Sequence, residues 1–233
     1  LQYTFDWKLV LSGEYLRWII DGVVVTCQLS AISLVLAMAI GTLIAVMRLS
    51  GVRPLVWFSA GFTEFFRNTP LLVQIFFWYF GSDAVLPAAV NQWLYKQNFE
   101  FAAGAIALSV YTAAFIAEEI RSGIFSIPRT QLEASRACGL TFLQAMRYVI
   151  LPQAFRIIVP PLISQALNLF KNSSLCMTIG VMELTYMARQ IESYTFHGFE
   201  AFTVSTLIYL TISLAVSFSI TQYNRHFLRT IRY

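Results

Sequence analysis

Charged side chains are scarce in this sequence. They make up 12% of its 233 residues, about half the share of an average soluble domain. Hydrophobic residues make up 58%, in runs too long for a soluble core of this size, so a single membrane domain is expected over residues 1–233. Lysine–arginine tracts with interleaved aromatics are lacking, which argues against nucleic acid as a partner. Only three cysteines occur, Cys27, Cys138 and Cys176, with no CxxC or His-paired spacing. They are expected as small packing residues, and no metal site is expected. The two histidines, His197 and His226, lie near span ends without ligand spacing, and no nucleophile motif accompanies them. A membrane enzyme is therefore disfavoured. A cleavable signal peptide is not expected either, because Lys8 precedes a mixed segment and not a short apolar one.

What is present is a series of five apolar runs. Gly22 to Met47 holds no charge and is roughly 39 Å long as a helix, enough to cross a bilayer core of about 30 Å. The spans are expected at about 18–47, 55–80, 101–122, 153–182 and 201–224. With the N-terminus outside, the cytoplasmic set is Arg48, Arg53, Arg121, Arg129, Arg136, Arg147, Arg156, Arg225, Arg229 and Arg232. The outer set is Lys8, Arg17, Lys96 and Arg189. Ten against four follows the positive-inside rule and puts the C-terminus in the cytoplasm. Trp18, Trp57, Trp78 and Trp93 fall near span ends, where indoles settle. Residues 1–17 are read as an amphipathic segment on the outer surface.

The stretch 123–151 is long, polar and organised. Pro128 breaks the preceding helix. Thr130-Gln131-Leu132-Glu133 has the form of a capping box, and the helix it starts is expected to stop at Gly139. Thr141-Phe142-Leu143-Gln144 is a second box, whose helix is expected to run up to Pro152. Spacing alone fits either a stiff projecting element or an ordinary re-entrant hairpin.

Glu133-Ala134-Ser135 with Gly139, followed by Val149-Ile150-Leu151-Pro152, resembles the EAA loop of ABC importer permeases. Ala117 to Ile124, Ser126-Ile127-Pro128, Phe66 to Gln74 and Lys171 to Leu175 resemble the polar-amino-acid branch of that family, closest to its glutamate/aspartate type. The resemblance implies an all-α membrane protein with the type I importer permease fold and a cytoplasmic coupling helix. It implies that Glu133, Ala134, Ser135, Arg136, Gly139 and Leu140 meet a cytoplasmic ATP-binding subunit. It also implies a second permease subunit, identical or related, an extracytoplasmic binding protein, and residence in a bacterial inner membrane. ATP and Mg would belong to the partner subunit, with no cofactor bound by this chain.

Polar groups inside spans are the default functional candidates. On the second span, Glu64, Arg67, Asn68, Leu71, Gln74 and Trp78 follow one face, with Thr69 beside the break at Pro70. Pro70 deprives the Phe66 carbonyl of its helical partner, so a bend is expected there. On the fourth span Ser164, Asn168 and Lys171 share a face, with Gln165 and Asn172 beside it. Gln74 and Lys171 sit at similar depth, which suggests a polar substrate path between the two spans. Glu64 and Arg67 fit a structural i,i+3 pair as well as a path. Lys171 has no carboxylate near it on its own helix and is expected to meet water, substrate or Glu64. The competing class is a self-sufficient secondary transporter or channel. It predicts an inverted repeat or a mid-span coupling carboxylate, and only Glu64 offers the latter.

Overall fold

The computed structural model describes residues 4–96 and 98–227. Eleven α-helices carry the described residues: α1 (Trp7–Val10), α2 (Gly13–Leu49), α3 (Arg53–Asn68), α4 (Leu71–Val85), α5 (Ala88–Lys96), α6 (Phe99–Phe125), α7 (Arg129–Ala137), α8 (Phe142–Ala145), α9 (Leu151–Asn172), α10 (Leu184–Thr195) and α11 (Gly198–Phe227). A π-helical turn, Met146–Ile150, joins α8 to α9, and a 3-10 segment, Ser173–Ile179, extends α9. Four helical runs are long and apolar enough to cross a membrane: Gly13–Leu49, Phe99–Phe125, Phe142–Ile179 and Gly198–Ser219. The apolar helix Leu71–Val85 is shorter.

Helix α6 is the hub. It packs against α2, α3, α4 and α9, and its buried face is built from small residues, among them Ala103, Gly104, Ala107, Ala113 and Ala117. Without a hydrophobic drive between helices in lipid, small side chains let backbones approach and gain dispersion contacts. The approach is close at Gly41 of α2, where an added Cβ would lie 2.7 Å from Ile116 Cγ2 and 2.9 Å from the Ala113 carbonyl oxygen. The outward faces are apolar: Val35, Leu43, Trp57, Leu214 and Phe218 are all exposed, as a lipid-facing surface requires.

The second span departs from a single 55–80 helix. Pro70, unable to donate, splits it into α3 and α4 at an extended Thr69-Pro70 pair. The fourth span departs from the expected start after Pro152. Its helix begins at Phe142 and passes Pro152 without stopping. The physical reason is the π turn: the Leu151 N–H donates to the Met146 carbonyl, one residue wider than the α register. Pro152 then falls in the first turn of α9, where a missing N–H is tolerated. Two helices not expected from sequence, α5 and α10, lie in the connections before α6 and before α11.

The N-terminal segment is tied down. Val10 is buried with Ile19, Leu184, Ala188, Ile191 and Ala201, and the Asp6 N–H donates to Glu200 Oε1 at 2.7 Å. Of the cysteines, Cys176 is buried, but Cys27 and Cys138 are exposed, so only Cys176 packs inside the chain as expected. Arg229 and Arg232, counted above in the cytoplasmic set, lie outside the described residues.

Candidate functional site

Within the polar loop, α7 is a short helix set against the membrane bundle, and α8 with the π turn leads on into α9. The cap at its start is not the expected Thr130 box. Pro128 takes the N-cap position, no side chain caps the helix, and Thr130 is the second helical residue. Pro128 already fixes the chain entry, so the helix begins at Arg129, two residues too early for Thr130 to cap it. The end is as the sequence implies. Gly139 has φ +85°, the Leu140 N–H donates to the Ser135 carbonyl at 3.2 Å, and the Gly139 N–H to the Arg136 carbonyl at 3.0 Å. That pair of bonds is a Schellman motif, which a left-handed glycine makes cheap. The second box, by contrast, forms in full: Gln144 N–H donates to Thr141 Oγ1 at 3.3 Å and Thr141 N–H to Gln144 Oε1 at 2.8 Å.

Helix α7 has two faces. Leu132 packs on the cluster of Ile127, Ile150, Ala154 and Ile158. Ser135 is buried and donates to the Gln131 carbonyl at 2.6 Å. Glu133, Ala134, Arg136 and Gly139 are exposed, and Leu140 is half-buried. The outward set is therefore smaller than the sequence-derived one, because Ser135 is buried and its hydroxyl is spent on its own helix. Next door, Glu118 and Arg121 pair at i,i+3 on α6, with Arg121 Nε 2.9 Å from Glu118 Oε2.

The membrane-depth residues divide into two groups. Gln74 and Thr69 serve the break in the second span. Gln74 is buried, and its amide donates to the Phe66 carbonyl at 3.0 Å, the Thr69 carbonyl at 3.2 Å and Thr69 Oγ1 at 2.7 Å. It replaces the donor that Pro70 lacks. Asn168 and Asn172, with Gln165 and Leu169, line a cavity of about 150 Å³ completed by Tyr111, Thr112 and Phe115 of α6. The three α6 residues were missed from sequence, although Tyr111 and Phe115, one turn apart, flank a buried threonine in an otherwise small-residue span.

Other expected pairings do not form. Glu64 Oε2 accepts from Asn68 Nδ2 at 3.0 Å and not from Arg67. The Arg67 guanidinium sits 5.4 Å from the centroid of the Phe115 ring, a cation–π contact. Glu64 makes no ion pair with Lys171, because α6 stands between α3 and α9. Lys171 and Ser164 are exposed and lie outside the cavity. So the second and fourth spans do not enclose a path directly. Phe115 bridges them, with Arg67 on one side and the asparagines on the other.

Sequence reading also passed over Glu183. It is fully buried at the start of α10, where its carboxylate accepts from the Thr185 and Tyr186 N–H groups at 2.9 and 2.8 Å and from the Tyr209 hydroxyl at 2.7 Å. Burial pushes the carboxyl above the usual range, against the pull of those N–H donors. The Leu184 N–H donates to Thr26 Oγ1 at 3.1 Å, so this corner pins α10 to α2 and α11. The available signal was a glutamate directly before an amphipathic helix, an uncommon N-cap.

Residues 15–232 match the family described as Binding-protein-dependent transport system inner membrane component. The chain belongs to that family. It is 37% identical to the glutamate/aspartate import permease protein GltJ of Escherichia coli K12 over 235 residues, covering 97% of this chain and 96% of the relative. It is 41% identical over 200 residues to the probable glutamine ABC transporter permease protein GlnM of Bacillus subtilis, covering 86% and 88%. Among solved structures, an amino acid ABC transporter crystallised with histidines aligns over 96% of this chain and 100% of that one, with a TM-score of 0.83 and 31% identity. The inward-facing methionine transporter MetNI aligns with a TM-score of 0.71 at 20% identity and shares the fold. As an inner membrane transport component, this permease carries the long α6 hub and the exposed α7 as parts of a family architecture.

Proposed function

We propose that this chain is the membrane-spanning subunit of an ATP-driven importer for a polar amino acid, with glutamate or aspartate as the leading substrates. The observation that carries the reading is α7. It is a short helix held to the bundle through Leu132, and with its C-terminal turn it presents Glu133, Ala134, Arg136 and Gly139 outward. A cytoplasmic ATP-binding subunit, holding ATP and Mg, seats this face. Small Ala134 and Gly139 permit close approach, and Glu133 and Arg136 supply charge of both signs. Because α8, the π turn and α9 form one helical run, a push on α7 passes into the helix that carries Asn168 and Asn172.

The path runs along the α6–α9 seam. Tyr111 and Phe115 offer ring faces, and Thr112, Gln165, Asn168 and Asn172 offer the donors and acceptors that a zwitterion needs. Lys171, Ser164 and the exposed edge of Asn168 face outward from the single chain. A second permease subunit covers that face, and the substrate carboxylates pass Lys171 and Arg67 at the join. The ten-to-four distribution of basic residues supports an orientation with α7 and the C-terminus inside and α5 and α10 outside, where a binding protein delivers the amino acid.

The test is assembly against coupling. Glu133→Lys and Gly139→Asp alter α7 without touching a span. Both are expected to insert normally, and to lose ATP-binding subunit in pull-down, uptake, or both. Normal retention and normal uptake in both variants contradict the assignment.

A further inference from the structure

A second cavity, of about 520 Å³, lies at the far end of α6 from the coupling helix. It is lined by Tyr79, Phe80, Asp83, Tyr95, Phe99 and Glu100. Its construction is specific. The Tyr95 and Phe99 rings stack at 4.4 Å between centroids, Tyr79 leans on Phe99 at 5.6 Å, and Phe80 meets Tyr79 edge-on at 4.8 Å. The Tyr95 hydroxyl donates to Asp83 Oδ2 at 3.0 Å and fixes that carboxylate at the rim. Among the described residues neither Asp83 nor Glu100 has an ion-pair partner, and the neighbouring Lys96 does not line the cavity. Four aromatic rings and two carboxylates, with no cation of the chain's own, form a receptor for an organic cation. Ring faces attract it through their quadrupoles, and the carboxylates give it charge-assisted hydrogen bonds.

The cavity is off the transport route. Glu100 and Tyr111 are eleven residues apart on α6, roughly 16 Å along the axis, and α5 packs outside the bundle against α4 and α6. A free ion held here would not reach the asparagine cavity, whereas Asp83 and Tyr95 are exposed and open to a side chain presented by a docking protein. We infer that Asp83, Glu100, Tyr95 and Phe99 capture a lysine or arginine side chain of the external binding protein as it docks. This rests on the importer reading above, and it names the chemistry of one docking contact.

The experiment uses the permease with its ATP-binding subunit in lipid nanodiscs and the amino-acid-loaded binding protein, with docking affinity measured over a series of salt concentrations. Asp83→Asn combined with Glu100→Gln is expected to weaken docking about tenfold and to flatten its salt dependence, as loss of two rim charges predicts. Tyr95→Ala is expected to weaken docking, and Asp83→Glu to preserve it. Thermal unfolding of each assembled complex separates loss of the contact from loss of the fold. Methylguanidinium is expected to compete with docking to the wild-type complex, while its neutral analogue methylurea, at matched ionic strength, does not. If the wild-type complex docks and the double variant docks equally well with the same salt slope, the cage assignment is overturned and the importer reading stands. If methylguanidinium binds without affecting docking, the cavity serves a free cation and the inference fails. If no binding protein docks to the wild-type complex, the importer reading itself fails.

Discussion

Gln74 illustrates how a polar residue at membrane depth serves structure. Its amide takes over the bond that Pro70 cannot make to the Phe66 carbonyl, in a region where water is not available to do so. Gln74→Leu is expected to destabilise the protein by about 1–3 kcal/mol, the cost of an orphaned buried carbonyl. Thermal unfolding of the purified protein checks this. An unchanged melting temperature with lost uptake would place Gln74 on the path instead. From sequence, the broken carbonyl at Phe66 was legible, because proline chemistry is local. The donor that repairs it was read as path lining, since spacing alone does not say whether an amide turns inward to its own helix. The same limit applies to Glu64, whose partner is Asn68 one turn away and not Arg67 or Lys171. It applies also to Tyr111 and Phe115, whose function depends on which helix packs beside them.

At the scale of elements, caps and breakers decide where helices begin, and two similar motifs behave differently. The Thr141 box forms with both of its hydrogen bonds, whereas the Thr130 box is pre-empted by Pro128 two residues earlier. Thr141→Ala is therefore expected to cost about 1 kcal/mol. Thr130→Ala, at an exposed helical position, is expected to stay within about 0.5 kcal/mol. Melting temperatures of the two variants in the same detergent make the comparison; equal losses would mean that Thr130 caps the helix after all. Gly139 was legible as a terminator because its left-handed conformation is a property of one residue. The passage of the helix through Pro152 was not, because the π turn that accommodates it depends on the packing of Ile150 and Ala154 under α7. Likewise α5 and α10 are short and amphipathic, and neither has the apolar length that reveals a span.

For the whole molecule, the apolar runs of the sequence fall on helices, four of them long and apolar enough to cross a membrane. Their arrangement around α6 follows from its small residues, which the sequence shows only as composition. The proposed orientation has a direct check. An impermeant thiol reagent is applied to intact cells carrying Ser126→Cys or Ala89→Cys, with Cys27 and Cys138 replaced because both are exposed. Ala89 is exposed on α5. Labelling is expected at position 89 and not at 126. Labelling at 126 from outside would put α7 out of reach of any cytoplasmic ATPase.

The central claim is that this chain moves an amino acid only when an ATP-binding subunit drives α7 and an external binding protein delivers the substrate. The most direct measurement is uptake of labelled glutamate and aspartate into proteoliposomes containing the purified permease with its ATP-binding subunit. ATP is supplied on the side of α7 and binding protein on the other. Uptake is predicted to require both, and to stop with Glu133→Lys. Uptake that proceeds on an ion gradient alone, with neither ATP nor binding protein, would contradict the account.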